Sequence, residues 1–211
     1  MHSEGSTGLP GTMNRQEFLR MSGFGIVGAV LFGVTGKVLA NPSPGSSLAR
    51  EFEEAAEEYD VPVELLLAMG YVNTRWEMPP PETSAHEPGN PHGRGAYGIL
   101  QLVQNDFADT LGEASRLTGI PEEELKTDRR ANILGGAALL AESQGEKPPR
   151  LGDYFGAVAG KGGRGKYYEA VAGVGAGEHF AEQVFRTLKK GSSATNLKGE
   201  QIELTAREGQ L

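Results

Sequence analysis

The sequence predicts a mainly helical single domain, residues 48–191, behind an N-terminal export segment. Three observations carry that expectation. Apolar residues recur at helical spacing through most of the chain after Leu48. One stretch, residues 65–72, is apolar on every face, which in a soluble domain requires a helix through the middle of the core. Ser, Asp, Pro and Gly stand where those helices should start and stop. A length of 211 residues has room for one ordinary domain with extensions. The absence of cysteine excludes a disulfide scaffold, a cysteine zinc site and thiol chemistry. The 31 glycines follow no Gly-X-Y period, so a collagen-like chain is excluded too. With 20 basic against 28 acidic residues the formal charge is −8, the wrong sign for a general nucleic-acid binder.

Residues 1–40 read as an export signal. Arg15 and Arg20 flank an apolar stretch over residues 24–34, and Val38 and Ala40 are the small residues before Asn41-Pro42. The run is well short of the roughly 20 apolar residues a spanning helix needs. Cleavage is expected after Ala40, leaving no stable membrane span; the alternative is an uncleaved N-terminal anchor. The segment Arg15-Gln16-Glu17-Phe18-Leu19-Arg20 looks like a degenerate twin-arginine signal, with Gln16 in place of the second arginine. Removing residues 1–40 takes away Arg15, Arg20, Lys37, Glu4 and Glu17, so the mature chain is more acidic by one charge. Residues 41–47, with Pro42, Pro44 and Gly45, form a linker.

The first helix places Leu48, Phe52, Ala55, Ala56 and Tyr59 on one face and glutamates on the others. Asp60-Val61-Pro62 breaks it and opens the all-apolar helix, which delivers Asn73-Thr74-Arg75-Trp76-Glu77 at its end. A proline-rich loop over residues 78–95 follows, then the compact Gly-rich segment 95–102. Phe107, Leu111, Ala114 and Leu117 share the face of a helix stopping at Gly119. Pro121 opens a short turn through Leu125. Asp128 caps a helix with Ile133, Ala137, Leu140 and Ala141 inward, ending near Gly145. The last helix buries Phe180, Val184, Phe185 and Leu188, with Glu178 early, Lys189 and Lys190 late and Gly191 just past its end. Residues 192–211 show no sustained period and read as a polar tail or linker. Residues 154–160 are echoed by 167–173, too few copies for a solenoid.

Two cofactor patterns fail on their chemistry. His86, Glu87 and His92 lie on a proline-rich loop at a spacing that fits no rigid metal scaffold. Residues 160–166 carry glycines, Lys161 and Lys166 but lack the Gly-Lys-Ser/Thr ending of a phosphate loop, and read as a flexible basic loop. No metal and no cofactor is expected.

The buried helix with a polar end, the Tyr97-Gly98-Ile99-Leu100-Gln101-Leu102 segment and the Asn132-Ile133-Leu134-Gly135-Gly136 run occur in the order found in soluble lytic transglycosylases. Residues 48–191 thus resemble that domain of the lysozyme superfamily, especially the copies ahead of the amidase domain in actinobacterial N-acetylmuramoyl-L-alanine amidases. The resemblance implies a lysozyme-like fold with a groove for peptidoglycan glycan strands, and a glutamate at the end of the central helix acting as acid and then base. Here Asn73 stands at that position, and an amide has no proton to lend. Asn73 is left with two roles, a sugar contact or a helix cap. Glu77, four residues on, shares its face if the helix continues; otherwise it is an exposed acid. Glu82 and Glu87, in the loop, have weaker claims. By the resemblance Tyr97 and Gln101 line the groove, Asn132 ties helix to loop, and Lys161 replaces a supporting tyrosine; Tyr97 as core and Gln101 as an ordinary polar residue are the alternatives.

The expected function is binding of peptidoglycan glycan strands by an exported cell-wall protein, with Asn73, Tyr97 and Gln101 as substrate contacts. The alternatives are an active transglycosylase or lysozyme using Glu77, and the N-terminal module of a peptidoglycan amidase. No nucleic-acid partner is expected, and no oligomeric state is implied.

Overall fold

The computed structural model describes residues 46–88, 94–145, 150–161 and 176–210. The expected export signal, most of the linker, His92 and most of the basic glycine loop lie outside those residues, as does the second copy of the short echo.

The described part is rich in helix, as the patterning predicts. Helix α1, Ser47–Glu58, is capped by Ser46, whose Oγ accepts from the Ala49 N–H. It buries Leu48, Phe52, Ala55 and Ala56 and turns its glutamates away. Asp60, in the left-handed region at φ 51°, lies in the connection, and α2, Val63–Thr74, follows Pro62. Leu65, Leu66, Leu67, Ala68 and Gly70 of α2 are all buried. A 3-10 turn, Pro81–Thr83, lies in the proline-rich loop. Strands β1, Ala96–Tyr97, and β2, Leu102–Val103, pair antiparallel with Ala96 opposite Val103 and Tyr97 opposite Leu102.

Helices α3, Thr110–Thr118, and α4, Glu122–Thr127, precede α5, Arg129–Gln144. Asp128 caps α5 through the Ala131 N–H at 2.7 Å, and every residue of α5 from Ala131 to Ala141 is buried. So complete a burial puts α5 between two apolar clusters. One unites residues of α1, α2, α5 and the last helix; the other gathers Tyr97, Leu102, Leu111, Ala114, Leu125, Ala131 and Leu139. A 3-10 turn, Leu151–Tyr154, and a π-type turn, Ala157–Lys161, lead toward α6, Ala176–Lys190. Phe180, Val184 and Leu188 of α6 are buried, while Phe185 is half-buried against Phe155. No helix among the described residues is long and apolar enough to cross a membrane.

Two expectations need correction. Phe107 is not on an inward helix face: it is 63% exposed, because Asp109 caps α3 through the Gly112 N–H and starts the helix after it. The segment after Gly191 is not a polar tail. Strands β3, Ser192–Thr195, and β4, Gln201–Leu204, form a hairpin that sets Ile202 and Leu204 into the main core. Period-2 alternation in Gln201-Ile202-Glu203-Leu204 makes one face of β4 apolar, and Gly191 at φ 72° lets the chain turn out of α6 into β3. Arg207, 5% exposed, then pairs with Glu64 of α2 at 2.8 Å.

The hairpin is also fastened by a charge cluster. Arg129 donates to both oxygens of Glu51, at 2.6 and 2.7 Å, and to Glu200 beside β4. Glu200 further accepts from the Ser47 hydroxyl at 2.6 Å, the Leu48 N–H at 3.1 Å and the Asn196 amide at 2.9 Å. Burial pushes the Glu200 carboxyl up, but these donors outweigh it and hold its pKa at about 2. The starts of α1 and α5 and the hairpin turn are thereby bound together.

Candidate functional site

The end of α2 is strained. Helices often end on a glycine in left-handed geometry, yet here Arg75 and Trp76 both adopt it, at φ 58° and 63°. An L side chain in that region costs roughly 1–2 kcal/mol. Packing supplies the compensation. Trp76 is fully buried and its indole N–H donates to the Leu67 carbonyl at 2.8 Å. Its ring meets Tyr71 at 4.8 Å between centroids, tilted by 55°. The Arg75 guanidinium lies over the other partner in this stack, 4.2 Å from the Tyr71 ring centroid.

Facing this helix end is the turn between β1 and β2. Gly98, at φ 71°, has no room for a side chain, which would run into the amide of Asn132. Asn132 is fully buried: its Oδ1 accepts from the Leu100 N–H at 2.8 Å, and its Nδ2 donates to the Tyr97 and Leu125 carbonyls at 3.0 and 2.9 Å. The predicted tie between helix and loop is therefore present. Gly136 of α5 leaves the space that the Leu100 side chain fills. The turn closes on Gln101, left-handed at φ 54°, whose Nε2 donates to the Gly98 and Ala96 carbonyls.

Helix end and turn meet through Asn73 and Thr74. The Asn73 amide donates to the Leu100 carbonyl at 3.2 Å, and the Thr74 hydroxyl reaches the Ile99 carbonyl at 3.4 Å. Asn73 thus docks the helix end on the turn, and the cap of α2 is Arg75 instead. Of the four non-glycine residues with positive φ among those described, three, Arg75, Trp76 and Gln101, belong to this junction. Backbone strain of that kind gathers where function requires a set geometry. A small cavity of about 20 Å³ adjoins the junction, lined in part by Met69, Leu100, Gln101, Gly136 and Phe180. That is room for about one water.

The other expected site residues fall elsewhere. Glu77 does not share a helical face with Asn73, because α2 stops at Thr74 and two left-handed residues intervene. Its Oε1 accepts from the Leu197 N–H at 2.8 Å, at the turn of the β3–β4 hairpin. Tyr97 is core: it is 8% exposed, and the Lys126 ammonium sits 5.1 Å from its ring centroid, so it offers no open face for stacking. Gln101 is half-buried and does border the cavity. His86 faces Asp106 at 3.3 Å, and no metal-binding group of His, Asp and Glu occurs among the described residues. Lys161 closes the π-type turn.

Tyr71 and Arg75 were absent from the residues singled out by sequence. Their signal was the four-residue spacing of an aromatic and a cation at a helix end. The junction thus combines amides, a hydroxyl and a guanidinium stacked on an aromatic ring. Asn73, Thr74 and Gln101 each donate to a backbone carbonyl, and the Arg75 guanidinium is the exposed donor group of the junction; Asn73 can donate a hydrogen bond but not a proton. In comparisons with known proteins the chain matches no family model and no curated protein.

Proposed function

We propose that this chain is an exported cell-wall protein that recognises peptidoglycan glycan strands at the junction of α2 with the 98–101 turn, and does not cleave them. The observation that carries the reading is the Asn73 amide hydrogen-bonded to the Leu100 carbonyl at the strained end of the central helix. In the soluble lytic transglycosylases that the sequence resembles, that helix end presents a glutamate to the glycosidic oxygen. Desolvation raises such a carboxyl toward neutrality so that it can act as an acid. An amide at the same place keeps the hydrogen-bonding capacity for sugar hydroxyl and acetamido groups but loses the proton. Glu77, turned to the Leu197 N–H, is committed to the hairpin instead. A strand would lie across the rim of the junction, since the cavity below Gln101 takes little more than a water. Export rests on the basic, apolar and small-residue order of residues 1–40.

Co-sedimentation with purified insoluble peptidoglycan tests the reading. The protein is expected to pellet with the wall and not with cellulose, and Asn73→Ala to bind several-fold more weakly. Equal partition onto both polymers, or none onto either, contradicts it.

A further inference from the structure

We infer that Arg75 is an anion-recognition residue of this junction, and that its ligand is a carboxylate of the peptides that peptidoglycan strands carry. The inference rests on the glycan-strand reading above and adds the charged group that the strand would present.

Arg75 differs from the other arginines in how it is held. Arg129, Arg130, Arg150 and Arg207 each pair with a carboxylate, Glu51 and Glu200, Glu54, Asp153 and Glu64 respectively. Arg75, like Arg50, Arg94, Arg116 and Arg186, is exposed and joins no ion pair among the described residues. An unpaired surface arginine is ordinary. A held one is not. The Arg75 guanidinium is fixed over the Tyr71 ring and reaches the Tyr71 carbonyl through Nη1 at 3.4 Å. Tyr71 is in turn braced by the buried Trp76. Stacking occupies one face of the guanidinium and leaves most of its five in-plane N–H donors for a pair of oxygens, the geometry a carboxylate matches. Holding the side chain beforehand removes part of the ordering cost of binding.

The backbone agrees. Glycine would relieve the left-handed strain at position 75. An arginine there accepts the strain and gains a fixed cation two residues from Asn73. The nearest acid in sequence, Glu77, has one carboxylate oxygen engaged by the Leu197 N–H, which draws its charge toward the hairpin.

The test compares binding to native insoluble peptidoglycan with binding to the same material after its carboxylates are amidated with ethanolamine. Wild type should bind the amidated wall about tenfold more weakly, the size of one charge-assisted hydrogen-bonded contact. Arg75→Gly should lose about tenfold on native wall, become insensitive to amidation, and melt at or above the wild-type temperature. Arg75→Lys, which keeps the charge but not the fork, should fall between the two. Wild-type binding that ignores amidation overturns the inference and leaves the glycan reading standing, as does an Arg75→Gly variant still as sensitive as wild type. A lower melting temperature for Arg75→Gly would mark the guanidinium as a structural cap and also overturn it. Wild type that binds neither wall removes the glycan reading itself.

Discussion

Arg129 and Arg75 are both immobilised, one by carboxylates and the other by an aromatic ring. Around Arg129 the charges answer one another: two glutamates, a hydroxyl and an amide close the cluster and bind the hairpin to the starts of α1 and α5. Around Arg75 the backbone is strained and the cation is left exposed. The first arrangement lowers the free energy of the fold and has nothing left to offer a ligand. The second costs stability and keeps donors available. That contrast, more than any single residue type, separates the part of this molecule that holds it together from the part proposed as its site.

Substitutions test the contrast. Asn132 gives the largest expected effect. It is fully buried with three hydrogen bonds to the turn, so Asn132→Ala leaves buried backbone groups without partners and should cost about 3 kcal/mol in urea unfolding. Arg129→Ala leaves Glu51 and Glu200 facing one another, and about 2 kcal/mol is expected to be lost in the same measurement.

Acid should act on the same cluster. The Glu200 carboxyl is held at about 2, below its ordinary 4.5, so the folded state binds its proton less readily than the unfolded chain. Its contribution is complete above pH 4.5 and fades as pH falls from there to about 2. Stability followed by thermal melts over that window should drop by on the order of 2 kcal/mol, and Glu200→Gln should flatten the drop. An equally steep profile in the variant would assign the acid sensitivity to other groups.

Glu77→Gln is a smaller test. It weakens one charge-assisted bond at the hairpin turn, about 0.5 kcal/mol, and should speed amide exchange at Leu197 without altering wall binding. A loss of wall binding in that variant would return Glu77 to the site. Smallest in stability is Arg75→Gly, where relief of the backbone offsets or slightly exceeds loss of the ring contact, leaving the variant as stable as wild type or up to about 1 kcal/mol more so.

Much of the fold was legible because its helices are long and patterned. The face of α1, the all-apolar α2, the Asp128 cap and the Gly119 and Gly191 stops all follow from spacing and capping chemistry. The hairpin after Gly191 was missed because its apolar signal is only Ile202 and Leu204, too short to stand out against Ser, Thr, Lys and Glu. Asn132 was legible as a tie between elements. For Glu77 and Tyr97 the sequence left a site role and a structural role both open, since the first depends on where α2 stops and the second on how β1 packs over α4 and α5. Left-handed geometry at Arg75 and Trp76 has no marker in sequence, because both residues are unusual choices for it.

The most direct test of recognition without cleavage is mass spectrometry of the soluble fraction after prolonged incubation of the purified protein with peptidoglycan, alongside its pelleted fraction. Recognition without cleavage leaves protein in the pellet and no anhydromuramoyl-ended or newly reducing fragments in solution. Release of either kind of fragment, at a rate that scales with added protein, would contradict it.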